Sequence, residues 1–155
     1  MSNPFMARAI QLSIDNVRSG QGGPFGAVVV QAGGIVAEGA NQVTLSHDPT
    51  AHAEMLAIRQ ACQKLGLFEL KGCDLYTSCE PCPMCLGAIY WARLSRVYFA
   101  NCASDASKAG FDDSFIYGEI AVPLLQRKIP MAQMMREEAL VAFRAWQDAP
   151  DKTRY

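Results

Sequence analysis

Two short segments of the sequence combine side chains that bind metal ions with side chains that move protons. Residues 52–54 read HAE, and residues 81–85 read PCPMC. Cys82 and Cys85 are three positions apart at a predicted helix start, so their sulfur atoms can converge on one ion. That ion would lie at the positive end of the helix dipole, which favours thiolates. The pattern therefore predicts a metal site at this helix.

His52 can supply a third ligand from another predicted helix. One imidazole and two thiolates suit zinc and leave one tetrahedral position open for water, which is the design of a catalytic site. Two thiolates neutralise the charge of Zn²⁺, so bound water is acidified less and a nearby proton acceptor becomes valuable. Glu54 is the predicted acceptor, acting as a base towards water and as an acid towards the leaving group.

His52 and Glu54 can share a site only at the first turn of a helix, because residues two apart face opposite sides of a regular helix. Either Thr50 or Asp48 as the N-cap residue would give that placement. Helical spacing of apolar residues continues from 52 to 65, and Gly66 is the predicted stop.

The elements that must position these side chains alternate along the chain. Apolar spacing and cap residues predict helices over residues 4–18, 52–65, 83–93 and 137–147. Short apolar runs predict a hairpin over residues 26–38 and strands over 75–78 and 97–100. Residues 101–133 give no clear assignment. Such alternation predicts an α/β fold with helices on both faces of one mixed sheet.

The composition is that of one globular domain covering residues 1–155. Hydrophobic residues make up 50% of the chain, which has 14 basic and 15 acidic residues. A net charge of −1 argues against a broad nucleic-acid footprint. No apolar stretch reaches the ~18 residues that span a bilayer. We therefore expect a soluble, cytoplasmic protein with reduced thiols rather than disulfides among its six cysteines.

The cysteines allow other interpretations. Cys79 precedes Cys82 by three positions, so the run also resembles an iron–sulfur motif, although Ile89 stands where the next cysteine is expected. Cys79 could instead close a structural zinc site, which would suit a non-catalytic, zinc-stabilised binding module. The remaining cysteines are predicted to be small core residues: Cys62, Cys73 and Cys102.

An H-x-E segment followed by P-C-x-x-C is the signature of zinc nucleobase deaminases. The chain resembles the cytidine-deaminase superfamily and, within it, the small guanine deaminases of bacterial type. The resemblance is carried by GGPFGAVVV, NQVT, DPTAHAE, YTSCEPCPMCLGAIYWAR and GFDDSFIY, at residues 22–30, 41–44, 48–54, 76–93 and 110–117, and by Tyr155.

The resemblance implies a three-layer α/β/α sandwich with a five-stranded mixed sheet. It implies hydrolysis of guanine to xanthine and ammonia, with zinc activating water at the ring carbon that bears the amino group. One Zn²⁺ per chain would be held by His52, Cys82 and Cys85, and Glu54 would be the proton shuttle.

The resemblance also implies residues for substrate binding. Asn41 would hold the ring edge, Phe25 would pack on the purine face, and Asp113 and Tyr155 of the partner subunit would close the pocket. Ala53 and Trp91 are further candidates. Members of this group form homodimers with an exchanged C-terminal segment, here roughly residues 130–155. From the residues alone, Phe25 could equally fill the core, Asn41 could belong to a turn, and Glu80 fits helix-end electrostatics.

Hydrogen bonding gives one physical preference among substrates. Beside its amino group guanine has a ring N–H, whereas cytosine and adenine have only bare ring nitrogens there. An ionised Asp112 or Asp113 accepts hydrogen bonds and cannot donate them, so it would favour guanine; the alternative for either is a helix cap. The rival activities are deamination of adenosine in tRNA and of other small bases such as cytosine or triazines.

Overall fold

A computed structural model of the chain describes residues 3–155. It contains seven α-helices: α1 (Pro4–Arg18), α2 (Val43–Ser46), α3 (Ala53–Leu65), α4 (Pro83–Trp91), α5 (Ala103–Lys108), α6 (Ser114–Ala121) and α7 (Arg136–Asp148). The strands are β1 (Gly26–Gln31), β2 (Gly34–Ala40), β3 (Cys73–Cys79) and β4 (Arg96–Asn101). Every helix and strand that was predicted with residue bounds is present. The chain divides into two compact units, one ending at Ser114 and one spanning Phe115–Tyr155.

The strands form one mixed sheet in the order β2-β1-β3-β4. β1 is antiparallel to both β2 and β3, whereas β3 and β4 are parallel. Parallel neighbours need a crossover, and α4 supplies it between β3 and β4. The start of α4 therefore follows the carboxyl end of β3, which brings the cysteine motif to that edge of the sheet.

Both faces of the sheet are covered, as the continuous apolar run of β1 predicts. Val28 and Val30 pack with residues of α1, while Ala27 and Val29 pack with residues of α3. All four side chains are buried. At Gly39 of β2 an added Cβ would lie 2.2 Å from a backbone oxygen of α3, so only glycine permits this close approach. The α/β/α layering is thereby confirmed.

The predicted number of strands is wrong: residues 3–155 contain four strands, and the fifth one implied by the resemblance is not among them. After β4 the chain forms the short helices α5 and α6 and a 3-10 turn at Leu124–Gln126. Pro123 and Pro130 lie in the irregular stretch that follows α6, and each removes a backbone donor that a strand would need.

The second unit is held by contacts near its own turns. The Glu119 carboxylate accepts a hydrogen bond from the backbone N–H of Lys128 at 2.7 Å. The ammonium of Lys152 donates to the carbonyl of Ala149 at 3.0 Å, beyond the end of α7. Across residues 3–155, none of the helices combines the length and the hydrophobicity that crossing a bilayer requires.

Candidate active site

The cysteine pair stands at the start of α4. Cys82 is the N-cap residue, with an extended backbone (φ −66°, ψ 167°), and Pro83 opens the helix. The backbone N–H of Leu86 donates to the Cys82 carbonyl at 2.8 Å, which closes the first turn. Cys85 lies within that turn and is fully buried. Both sulfur atoms are therefore on one side of the helix start, as their spacing predicts.

His52 and Glu54 are brought together by the beginning of α3. His52 is the N-cap residue, with an extended backbone (φ −72°, ψ 155°), and the helix starts only at Ala53. The pair therefore does not follow the geometry of a regular helix, in which their side chains would diverge. The prediction that they share a site at the first turn is confirmed.

The predicted N-cap residue of α3 is wrong, since neither Thr50 nor Asp48 occupies that position. Oδ1 of Asp48 instead accepts from the backbone N–H of Thr50 at 2.8 Å and from its hydroxyl at 2.7 Å. These bonds close a local turn before the helix. The cap position is thereby left to His52, whose imidazole points to the cysteines.

The three predicted ligands converge with distances that fit zinc. Nδ1 of His52 lies 3.5 Å from Sγ of Cys82 and 3.5 Å from Sγ of Cys85. All three ligand atoms lie within 4.8 Å of one another. Tetrahedral zinc with bonds of about 2.1 Å to nitrogen and 2.3 Å to sulfur places such ligands about 3.6 Å apart. The cluster does not include Cys79, so the closed four-ligand site gains no support.

Proton affinities at the cluster favour a metal-binding thiolate. Hydrogen bonding from Cys85 and the neighbouring imidazole lower the pKa of Cys82 to about 4. The same contact with Cys82, together with burial, raises the pKa of Cys85. The pKa of His52 is raised, mainly by its hydrogen bond with Cys82. Ligand thiols must lose their protons to bind zinc, so loading this site releases protons.

Glu54 lies directly behind the ligand cluster. Its side chain is buried, with Oε2 3.5 Å from Sγ of Cys85 and Oε1 3.4 Å from the hydroxyl of Thr77. Burial raises the pKa of Glu54. A buried carboxyl group with a raised pKa takes up a proton more readily than an exposed glutamate does, which fits a group that accepts and returns protons.

A cavity of about 210 Å³ opens onto the cluster. Its walls include Phe25, Cys79, Phe111 and Asp113 besides His52, Cys82 and Glu54. The volume lies below the roughly 300–1,000 Å³ of pockets for drug-sized ligands, so it suits a small planar base. A second cavity of about 440 Å³ shares Phe25 and Phe111 with it and reaches Asn41.

Phe25 and Asn41 both contribute to these walls. The ring of Phe25 meets that of Phe111 edge-on, with centroids 4.9 Å apart. Asn41 is buried, and its Oδ1 accepts from the backbone N–H groups of Gly23 and Val43 at 3.3 Å each. Asn41 therefore has the turn function considered as its alternative, while also lining the second cavity.

The two adjacent aspartates have different surroundings. Oδ1 of Asp112 accepts from the backbone N–H of Ser114 at 2.9 Å, and this bond lowers the pKa of Asp112. Asp112 is thus a cap for α6. Asp113 is half-buried on the cavity wall, and burial raises its pKa. Glu80 accepts from the backbone N–H of Ala103 at 2.9 Å, at the start of α5, and also lines the cavity.

Two further predicted substrate contacts, Ala53 and Trp91, are not among the residues that line these cavities. The side chain of Ala53 is fully buried in the core, which leaves only its backbone for a ligand. Trp91 ends α4, far along the helix from Cys82, and is 67% exposed. Tyr155 belongs to the second unit and is 70% exposed. Its predicted role concerns a partner subunit and stays a prediction.

Known proteins share this arrangement. The family described as the cytidine and deoxycytidylate deaminase zinc-binding region matches residues 2–101, which contain all three ligands and Glu54. The chain belongs to this family. It is 56% identical over 151 residues to the guanine deaminase of Bacillus subtilis strain 168, covering 97% of both chains. An X-ray structure of guanine deaminase from Bacillus subtilis gives a TM-score of 0.96 at 55% identity, covering 100% of this chain and 99% of that one.

More distant relatives of the chain are associated with different substrates or ligands. A tRNA-specific adenosine deaminase of Aquifex aeolicus strain VF5 is 38% identical over 116 residues, covering 75% of this chain and 74% of that protein. A mutant protein solved in complex with 8-azaguanine is 34% identical, with a TM-score of 0.68, covering 70% of this chain and 63% of that one.

Two residues of this deaminase-family chain escaped the sequence analysis: Thr77, which contacts Glu54, and Phe111, which lines the cavity. Thr77 carries a hydroxyl group among the buried residues of β3. Its position two residues before Cys79 was the available signal that it lies near the site. Phe111 directly precedes Asp112 in a segment beyond residue 101, where the family match ends. The expectation that Cys102 is a core residue is wrong, because it is exposed and its thiol donates to Asp105 at 3.0 Å.

Proposed function

We propose that the chain hydrolyses guanine to xanthine and ammonia. The observation that carries this proposal is a three-ligand zinc site that adjoins the buried carboxyl of Glu54 and opens onto a small cavity that Asp113 also lines. The high identity to the Bacillus subtilis guanine deaminase along nearly the whole chain supports the same substrate.

When bound, zinc supplies the Lewis acidity that activates water for attack on the amino-bearing ring carbon. Glu54 then performs the proton transfers. It takes one proton from the attacking water and delivers it to the adjacent ring nitrogen. It then moves the remaining proton of the added hydroxyl group to the amino group, which leaves as ammonia while the hydroxyl oxygen becomes the carbonyl oxygen of xanthine. Its burial beside Cys85 supports this role, because the carboxyl is shielded from bulk water and lines the cavity next to the zinc ligands.

Phe25, Asn41 and Asp113 orient the base. The ring of Phe25, held by Phe111, offers a flat surface for the purine. The Asp113 carboxylate accepts the ring N–H of guanine and repels the lone pair that adenine or cytosine would present. Leaving that acceptor unpaired costs about 1–3 kcal/mol, or roughly ten- to a hundredfold in binding.

The homodimer is part of the proposal. The second unit exposes large apolar side chains, among them Leu125 at 90% and Met134 at 79%, which supports burial against another copy of the chain. We assign the exchanged segment to residues 130–155 and place Tyr155 of the partner subunit at the pocket, with the backbone of Ala53 and the ring of Trp91 as further contacts. All six cysteines are free, which supports a reducing, cytoplasmic location.

A parallel assay tests the substrate assignment. Purified zinc-loaded protein receives guanine, adenine, cytosine, cytidine and a triazine, and ammonia release is measured for each. Release from guanine above all others is expected. Ammonia from adenine, cytosine or a triazine alone would overturn the guanine assignment and leave the zinc chemistry in place.

Deamination of adenosine in tRNA is the second candidate, favoured by the 38% identity to the Aquifex aeolicus enzyme. Such an enzyme must bind a polyanion, whereas this chain has a net charge of −1. Titration with tRNA at several salt concentrations separates the two functions. Tight binding that weakens steeply with salt, together with inosine formation, would favour the tRNA enzyme.

A further inference from the structure

One asparagine outside the zinc site ties together the loops that form the base-binding wall. Asn16 lies near the end of α1 and is 6% exposed. Its Nδ2 donates one hydrogen bond to the carbonyl of Gly23 and another to the carbonyl of Asn41, each at 2.8 Å. Both amide protons are thus used in short bonds to two different segments of the chain.

These two acceptors flank the residues that we place against the base. The Gly23 carbonyl also accepts from the backbone N–H of Phe25 at 2.9 Å, and the Phe25 carbonyl accepts from the N–H of Asn41 at 3.1 Å. Oδ1 of Asn41 closes the ring by accepting from the N–H of Gly23. Asn16 therefore sits at the centre of the hydrogen bonds that fix Phe25 and Asn41.

The loop is packed against Asn16 with little clearance. A Cβ at Gly22 would lie 2.2 Å from the Asn41 carbonyl oxygen and 3.1 Å from Nδ2 of Asn16. The N–H of Gln21 donates to the Asn16 carbonyl at 3.0 Å, so the loop also starts from the same residue. Such a close fit means that loss of the Asn16 bonds displaces the wall rather than being absorbed by it.

We propose that Asn16 is a positioning residue for the base-binding wall, acting through Phe25 and Asn41; this role rests on the proposed function. The two hydrogen bonds of the Asn16 amide go to the carbonyls of Gly23 and Asn41, and neither goes to a zinc ligand or to Glu54. Loss of Asn16 should therefore weaken binding of the base while the chemistry of bound substrate continues.

The test variant is Asn16→Asp, which keeps the size of the side chain and lacks the amide donors. An ionised carboxylate would then face two carbonyl oxygens. We expect KM for guanine to rise by about tenfold or more, as loss of binding on the order of one hydrogen bond implies, while kcat changes by less than about threefold. Zinc content should stay at one ion per chain.

Ser13→Ala is the matched control. Ser13 lies one turn earlier on α1, is buried like Asn16, and donates only to the Ile10 carbonyl of its own helix at 2.7 Å. It perturbs the same helix without touching the wall, so KM should stay at the wild-type value. An equal rise of KM in both variants would assign the effect to general loosening of α1 and overturn the proposal.

Amide hydrogen exchange provides a readout independent of activity. In Asn16→Asp, exchange at Gly23, Phe25 and Asn41 should accelerate at least about tenfold, while amides of β1 and β3 stay protected. Unchanged exchange at these positions would overturn the proposal, even if the variant binds guanine weakly. If the wild-type protein releases no ammonia from guanine, the proposed function fails, and the exchange result still decides whether Asn16 orders the wall.

Discussion

The hydroxyl of Thr77 lies 3.4 Å from Oε1 of Glu54, and both side chains are buried, at 1% and 5% exposed. Thr77 is on β3, where it stands opposite Ala27 on one side and Phe99 on the other. One of the two inner strands of the sheet thus presents a hydroxyl to the carboxyl group in the first turn of α3. The remaining oxygen of Glu54 faces Cys85, so the carboxyl group is held between the sheet and the metal site.

Thr77→Val should lower kcat for guanine by about tenfold with little change in KM, because one hydrogen bond to a charged group is lost and the shape is kept. Steady-state kinetics and zinc analysis measure both effects. Thr77→Ser restores the hydroxyl and should recover most of kcat. If Thr77→Val instead kept the kcat of the wild-type protein, the hydroxyl would not orient Glu54.

Glu54→Gln should reduce turnover by roughly a hundred- to ten-thousandfold, since the amide cannot shuttle protons. Zinc should stay bound, because the three ligands are untouched. Single-turnover kinetics and metal analysis on the same preparation test both statements. A non-catalytic zinc-stabilised module would instead retain its ligand binding and show no change in this variant.

Removal of zinc by a chelator should abolish turnover and lower Tm. Without the ion, the thiol of Cys85 and the neighbouring carboxyl of Glu54 would stay buried with no metal beside them. Added zinc should restore both turnover and Tm. Cys79→Ser serves as the control for ligand number, and its zinc content should equal that of the wild-type protein. Loss of the ion from that variant would indicate a fourth protein ligand.

Asp113→Asn should raise KM for guanine by about ten- to a hundredfold, because the amide no longer presents a charged acceptor to the ring N–H. Asp112→Asn is the neighbouring control, since that carboxylate caps α6 through Ser114. We expect this variant to have a lower Tm and a KM close to that of the wild-type protein. The reverse pattern in the two variants would exchange the roles of the aspartates.

The ion pair between Arg8 of α1 and Glu38 of β2 predicts a pH dependence of stability. Its bidentate hydrogen bonds measure 2.8 and 2.6 Å, and the hydrogen bond with Arg8 lowers the pKa of Glu38 below its ordinary value of 4.5. The contribution is therefore present above pH 4.5 and is lost as pH falls through the lowered pKa. Both side chains are partly exposed, so we expect the ion pair to contribute only about 0.5 kcal/mol to the free energy of unfolding.

Denaturant unfolding of the wild-type protein and Glu38→Gln at several pH values measures that contribution. The difference in free energy of unfolding should be constant near neutral pH and shrink below pH 4.5. A difference that grows on acidification would contradict the assigned sign.

Local spacing was sufficient to predict the parts of the site that lie within single turns of the chain. His52, Cys82 and Cys85 were identified because each stands at a helix start, where the positions of one turn converge. Hydrophobic periodicity likewise predicted α1 and β1 to within a residue or two. The α/β/α arrangement followed from that alternation, whereas the number of strands did not.

The sequence by itself determined the zinc ligands, the place of Glu54 beside them and the layered fold, because these depend on residue chemistry and on contacts within a few positions. Only the tertiary structure decided that Thr77 meets Glu54, that Phe111 meets Phe25, and that Asn16 meets Asn41. These partners are 23, 86 and 25 positions apart. Their contacts arise where the folded chain brings distant segments together, which no local pattern of residues specifies.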